Sequence, residues 1–244
     1  MPPDAADRTG WAATIVVLRR TAVHVNCHAQ SLHDDHHTDC QAELEDQRTV
    51  GHSQSEKAQS RERIVTAAAR QIREGGLESV SIGELMKQAK LTHGGFYGHF
   101  PSRSALIAGA LERALFDGEA ASVAATSRKG PRTLKSIVTS YLSAAHRDDP
   151  GSGCAISALA GDVGRSDAQV REIMMRRLDL YFSEVSQLIG PVPGAKDLAI
   201  TIWCTMVGAI TLARVFKGDE RSDDILRTAR MAILEQVRAA QAEA

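Results

Sequence analysis

The chain has few cysteines. Four in 244 residues, at positions 27, 40, 154 and 204, are too irregularly spaced for a disulfide framework. Nor is there an excess of either charge. Twenty-nine Lys and Arg against 30 Asp and Glu leave −1, which excludes a bulk polycation. Any contact with nucleic acid must come from local arrangement. The isoelectric point of about 6.8 argues mildly against such a contact, unless the acidic groups sit in a separate regulatory lobe. No secretory signal is visible: the apolar run 11–18 is short, follows Asp4 and Asp7, and has no small-residue cleavage site behind it. The expected location is the reducing cytoplasm. The longest apolar run, LAITIWCTMVGAITLA, falls short of the roughly 20 residues of a membrane span and holds three threonines. Burial on both sides is expected for it, against the core and against a second subunit, with no membrane partner. No strand pattern stands out, so the lone Gly151-x-Gly153 is no nucleotide fingerprint. Cys154 and His146 are the one pair that resembles a nucleophile and base, and they are too isolated to suggest catalysis. No enzyme, cofactor or metal is expected.

What is present is helix. Hydrophobic residues make up 43% of the chain and charged residues 24%, enough for a packed core in one or two soluble domains. The organising stretch is Ser81 to Phe100, SIGELMKQAKLTHGGFYGHF. Ser81 with Glu84 reads as a capping box. Ile82, Leu85, Met86 and Ala89 then make one apolar helical face. After a break at 89–91, Thr92 is a second N-cap and Ser102 a third. Phe96 and Phe100 are i, i+4 and share a face, so Tyr97 and His99 point elsewhere. Two short capped helices about a tight turn make a helix-turn-helix, whose second helix enters a DNA major groove. Gly94 and Gly95 weaken that helix by roughly 1 kcal/mol each. Their use there is close approach of backbone to another surface. Tyr97 and His99 carry groups able to reach phosphate oxygens.

The run Thr92-x-Gly94-x-Phe96-Tyr97-x-His99-Phe100, with Arg103 and Leu106 behind it, resembles the DNA-binding signature of the TetR/AcrR family of bacterial regulators. Upstream, Arg63-Ile64-Val65, Ala67-Ala68, Gly75 and Val80-Ser81-Ile82 fit the same pattern, so the resemblance covers about 54–115. It implies an all-α protein: a three-helix helix-turn-helix domain at 50–101, then a helical regulatory and dimerisation domain at 102–244. It also implies a homodimer on double-stranded DNA, a palindromic operator and a small-molecule effector. Thr92, His93 and Gly94 would lie nearest base edges, with Gly95 allowing close approach. Ser81, Tyr97, His99 and Arg103 would hold phosphates. A cation in the first turn of a helix opposes the helix dipole, so Arg103 suggests an anion beside it, and phosphate is the natural one. The alternative is a dimeric small-molecule-binding protein that does not use its helix-turn-helix on DNA. A steep salt dependence of DNA affinity distinguishes them.

Residues 1–49 look unlike the rest, with five histidines and two cysteines between positions 24 and 40. Three readings are open: a zinc site of unfamiliar spacing at Cys27-His28 and His36-His37-x-x-Cys40, a disordered arm, or a reading frame opened too early, Val50 standing where the start codon would be. Mass spectrometry of the native N-terminus separates the last from the others.

Helix 1 is expected from about 55 to 74, with Lys57, Arg61 and Arg63 at its basic end and Gly75-Gly76 as a left-handed cap. The helix after Ser102 carries Leu106, Ile107, Ala110, Leu111, Ala114 and Leu115, and is the one link through which a signal would pass. Beyond it Pro131 would open the next helix, Ser166 would cap the one from 167 to 189, and Ser222 the last. Tyr141, Cys154, Leu159, Met174, Tyr181, Trp203 and Met206 are candidates to line a cavity, though each suits plain core as well. The tips of Tyr181 and Trp203 would orient a ligand. With few charges among these residues, the expected ligand is small and apolar or electrophilic. Cys154 is also a candidate thiol sensor, while Cys204 is expected to pack within its helix.

Overall fold

The computed structural model describes residues 37–127 and 130–243, with side chains from residue 53 onward. Among them every regular element is helical. Residues 1–36 and the side chains of 37–52 lie outside the described residues, and with them the zinc-site reading and most of the N-terminal arm. Helix α1 runs His37–Gly75, beginning well upstream of the expected start near 55. Ile64, Val65, Ala68, Ala69 and Ile72 are its buried face.

Gly76 ends α1, but not as a left-handed cap. Its φ of 84° is paired with ψ of 172°, which turns the chain out into a 3-10 turn at Leu77–Ser79. That positive φ favours glycine, and a Cβ would also stand 2.5 Å from Asp162 Oδ2. α2 (Ile82–Gln88) follows, with the Ser81 hydroxyl accepting from Glu84 N at 3.4 Å. Lys90, at φ 61°, makes the tight turn that the sequence showed only as a break. The second short helix, His93–Gly98, is a 3-10 helix, and Thr92 holds its N-cap position with no side-chain bond. Phe96 and Phe100 stack beneath it with ring centroids 5.6 Å apart. They anchor the unit between α1 and α3 (Arg103–Ser127), whose first turn is capped by Ser102 Oγ accepting from Ala105 N.

The second lobe holds α4 (Leu134–Tyr141), α5 (Ala144–Asp148), α6 (Ala155–Gly164), α7 (Ala168–Ile189), α8 (Ala195–Val215) and α9 (Glu220–Ala242). α8 packs against both α7 and α9, and α7 packs on α3. Several caps differ from expectation. Thr133 and Ser136 form a reciprocal capping box for α4, leaving Pro131 outside it. Asp167, not Ser166, caps α7 by accepting from Val170 N, while Ser166 Oγ donates back to Val163 O. Asp219 caps α9, and Ser222 is instead buried and donates to Ala213 O at 2.7 Å. In each case an aspartate at the N-cap position offers a charged acceptor, which wins at a helix N-terminus. α8 has 21 residues and is long and apolar enough to cross a membrane by length and composition. Ala199, Ile202, Met206, Ile210 and Ala213 on it are fully buried in the core.

The two lobes are joined by more than α3. Arg73 is buried at the end of α1, donating from Nε to Gly151 O at 2.6 Å and from Nη1 to Ala114 O at 3.1 Å. Asp162 on α6 accepts from Leu77 N at 3.0 Å, and Ser104 Oγ donates to Asp167 Oδ2 at 2.6 Å. The expectation of a single route along α3 is therefore corrected.

Candidate functional site

The helix-turn-helix face is built by the buried Phe96–Phe100 pair, which leaves Tyr97 pointing outward. Tyr97 is 70% exposed, and its ring meets Phe96 edge to face at 5.3 Å. That contact fixes its direction at little entropic cost. Ser81, Thr92, His93 and Gly94 are exposed on the same short segments, and Gly95 is half-buried. None of the three glycines from 94 to 98 has a positive φ. A Cβ on Gly94 or Gly98 would touch nothing, and one on Gly95 would make only ordinary contacts with Thr92 and Met86. The fold itself does not demand glycine here, and the bare backbone leaves this face open to close approach.

His99 differs from a simple outward phosphate holder. It is half-buried, and its Nδ1 has no hydrogen-bond partner. Burial lowers its pKa, and the Lys57 and Arg61 cations lower it further. Those two exposed residues of α1 thus stand by the helix-turn-helix face, and Arg61 lies over the Phe100 ring at 5.0 Å. Sequence periodicity placed them at the end of α1 but not beside His99. Arg103 already has its anion within the chain: Nη2 donates to Leu77 O at 3.1 Å and to Glu78 Oε2 at 3.2 Å. It braces α3 to the 3-10 turn, so its dipole-opposed position no longer points to phosphate.

The second lobe holds a partly open pocket of about 280 Å³ between α3, α4, α5, α7, α8 and the 149–154 loop. Of the seven candidates, Tyr141, Cys154, Tyr181 and Trp203 line it. Leu159, Met174 and Met206 do not; they are buried core. Side-chain character could not separate the two sets, because the distinction is which helix face meets a void. Glu119, Arg132, His146 and Glu184 also line the cavity and were missed. Tyr181 and Trp203 stack in parallel at 4.8 Å, with Tyr141 edge-on to Trp203 at 5.7 Å. Trp203 Nε1 donates to Tyr181 O at 3.2 Å, so its polar tip is committed to the protein rather than offered to a ligand.

His146 is not a base for Cys154. Its Nδ1 lies 2.7 Å from Tyr141 O and its Nε2 accepts the Cys154 backbone N–H at 3.0 Å. The ring is therefore neutral with the proton on Nδ1, and burial lowers its pKa. Cys154 is a free, half-buried thiol at the N-cap of α6, and Cys204 is exposed on α8 rather than packed. Among the described residues no group of three or more His, Cys, Asp or Glu is placed to hold a metal ion.

The family model for bacterial regulatory proteins of the tetR family matches residues 64–110. An uncharacterized HTH-type transcriptional regulator of Mycobacterium tuberculosis is 30% identical over 190 residues, covering 72% of this chain and 95% of its own. Among solved structures, the reduced form of Escherichia coli NemR is similar at 20% identity and a TM-score of 0.59, covering 72% of this chain and 95% of that one. A TetR transcriptional regulator from Chloroflexus aurantiacus is similar at 22% identity and 0.63, covering 75% and 96%.

Proposed function

The chain belongs to the TetR family of DNA-binding transcriptional regulators, and from that premise we propose that it is a cytoplasmic homodimeric repressor, released from a palindromic operator by a small molecule. The observation that carries the reading is the helix-turn-helix face, where Tyr97 is held outward beside glycines that the fold does not require. In the proposed complex, Thr92, His93 and Gly94 face base edges, and Ser81 and Tyr97 take phosphates with Lys57 and Arg61 beside them. His99 orders the basic edge rather than reading DNA directly, and Arg103 holds α3 in place.

Support for the dimer comes from α8. Ile200, Cys204, Gly208, Leu212 and Val215 are exposed and recur at helical spacing, giving a mostly apolar stripe on the side away from the core. Gly208 has open space around it, as close helix approach requires. Two subunits joined there would set two helix-turn-helix units about 34–36 Å apart, one turn of duplex.

Support for effector control comes from the route between cavity and DNA face. Asp149, Ser152, Gly153 and Cys154 wall the cavity, and Arg73 of α1 holds the Gly151 carbonyl in the same loop. An effector that shifts the loop or α3 shifts α1, and with it the spacing of the two DNA-reading units. The coupling is reciprocal, so operator weakens effector binding by the same factor. A small apolar or electrophilic molecule suits the aromatic walls and the Cys154 thiol.

The test is selection of bound sequences from a random duplex pool by the purified full chain. Enrichment of a palindrome with steeply salt-dependent affinity supports the reading. Folded, dimeric protein that enriches nothing overturns it, in favour of a ligand-binding protein that leaves its helix-turn-helix unused.

A further inference from the structure

Asp162 reaches out of the second lobe to the turn that feeds the helix-turn-helix. It sits in the last turn of α6, whose Ile156, Leu159 and Val163 are buried in the core of that lobe. Its Oδ2 accepts from Leu77 N at 3.0 Å, from 85 positions away in sequence. Arg165 Nη2 donates to the other carboxylate oxygen at 2.8 Å, so both oxygens are held. The receiving chain is shaped for this contact. The carboxylate lies where a side chain on Gly76 would begin, 2.5 Å from the position of its Cβ.

Leu77 is held on both of its backbone polar groups. Opposite Asp162, Arg103 Nη2 on α3 donates to the Leu77 carbonyl at 3.1 Å. At the far end of the 3-10 turn, Gln71 Nε2 on α1 donates to Ser79 O at 2.7 Å. Two residues later Ser81 opens α2. The direction in which α2 leaves α1 is thus set by three side chains, from α1, α3 and α6. Gln71 and Arg103 stand on the helices that frame the DNA-reading unit and move with it. Asp162 stands on α6, which packs against α8, the helix with the exposed apolar stripe. Of the crossings between lobes described above, this is the one that grips the turn itself.

We propose that Asp162 is a positioning residue for operator recognition: through the Leu77 amide it sets how the helix-turn-helix sits on the second lobe, and so the distance between the two reading units of a dimer. This rests on the homodimer reading above. One unit reads a half-site whatever its angle to the second lobe. Two linked units gain from their linkage only where their spacing matches the duplex. Loss of the Asp162 contact therefore acts on the palindrome and spares the half-site.

The test compares variants of the full chain. Asp162→Ala removes the acceptor, and Asp162→Ser is a second variant too short to reach Leu77. Asp162→Asn keeps an acceptor and loses the charge, while Arg165→Ala removes the exposed ion pair alone. Dissociation constants for a selected palindromic duplex and for its half-site are read by fluorescence anisotropy. Asp162→Ala and Asp162→Ser are expected to weaken the palindrome on the order of tenfold and to leave the half-site unchanged. Asp162→Asn and Arg165→Ala are expected to keep the parent's ratio of the two constants. Hydrogen exchange of the free protein gives a second reading. Amides 77–88 are expected to exchange faster in Asp162→Ala and at the parent rate in Asp162→Asn. Equal losses on both duplexes would make Asp162 a support of the fold alone and overturn the proposal. Exchange that does not rise, or Asp162→Asn behaving as Asp162→Ala, would overturn it as well. A parent preference for the palindrome that survives in Asp162→Ala removes the proposal and leaves the homodimer standing. A parent chain that binds the palindrome no better than the half-site removes both.

Discussion

Tyr97 and Thr92 sit five residues apart, both exposed, yet they have different expected roles. Tyr97 presents a hydroxyl at the end of a rigid ring, suited to the sequence-independent backbone. Tyr97→Ala is expected to weaken specific and random duplexes alike, by about 1 kcal/mol, as read by fluorescence anisotropy. Thr92→Ala is expected to change sequence preference, and equal losses on specific and random DNA would contradict a base-reading role. Gly94→Ala separates fold from function. Its Cβ has open space and its φ is not positive, so stability should hold or rise by up to roughly 1 kcal/mol while operator affinity falls. A melting curve beside a binding curve decides it. Two partly buried imidazoles set an acid limit. His99 and His146 have folded-state pKa values below the ordinary 6.5. Between those values and 6.5 the unfolded chain binds more protons. Their stabilising contribution is therefore present above pH 6.5 and is lost as pH falls through the folded values. Denaturant midpoints at pH 7.5 and 5.5 should show the loss, and His146→Gln should reduce the slope.

At the scale of elements, caps and turns were legible where the local signal had one reader. Ser81, Ser102 and the Phe96–Phe100 pair are read from adjacent residues and occupy the expected places. Ser166 and Ser222 misled because a serine near an aspartate reads as a cap in either position, and tertiary neighbours choose between them. α5 was missed because five residues hold no period; Ser143 caps it by accepting from His146 N. Arg73 was also invisible. A lysine- or arginine-bearing last turn is ordinary in a helix, and nothing local says that this one is buried. Arg73→Ala would strip two backbone carbonyls and Asp117 of a buried partner. A loss of about 3 kcal/mol is expected from the denaturant midpoint.

For the whole molecule, the exposed stripe on α8 is the feature with the largest consequence. Leu212 is 53% exposed and Val215 75%, on a helix whose opposite side is core. The double variant Leu212→Glu, Val215→Glu is expected to leave the fold intact and to sediment as a monomer. Its affinity for a palindromic duplex should fall by far more than for a half-site, since one duplex would no longer hold two linked reading units. A variant that stays dimeric would place the dimer surface elsewhere.

The sequence by itself determined the helical class, the helix-turn-helix and its outward face. All three depend on residues within a turn or two of each other, and their periodicity is set by backbone geometry. Only the tertiary structure decided which apolar residues line a void and which are core, where Arg73 and Arg103 find their partners, and that His146 serves backbone groups rather than the Cys154 thiol. Those contacts join residues tens of positions apart, through helix faces whose mutual placement no local pattern specifies. The cavity is the clearest case. Trp203 and Met206 lie three residues apart on α8, and only packing against α4 and α7 makes one of them a wall and the other core.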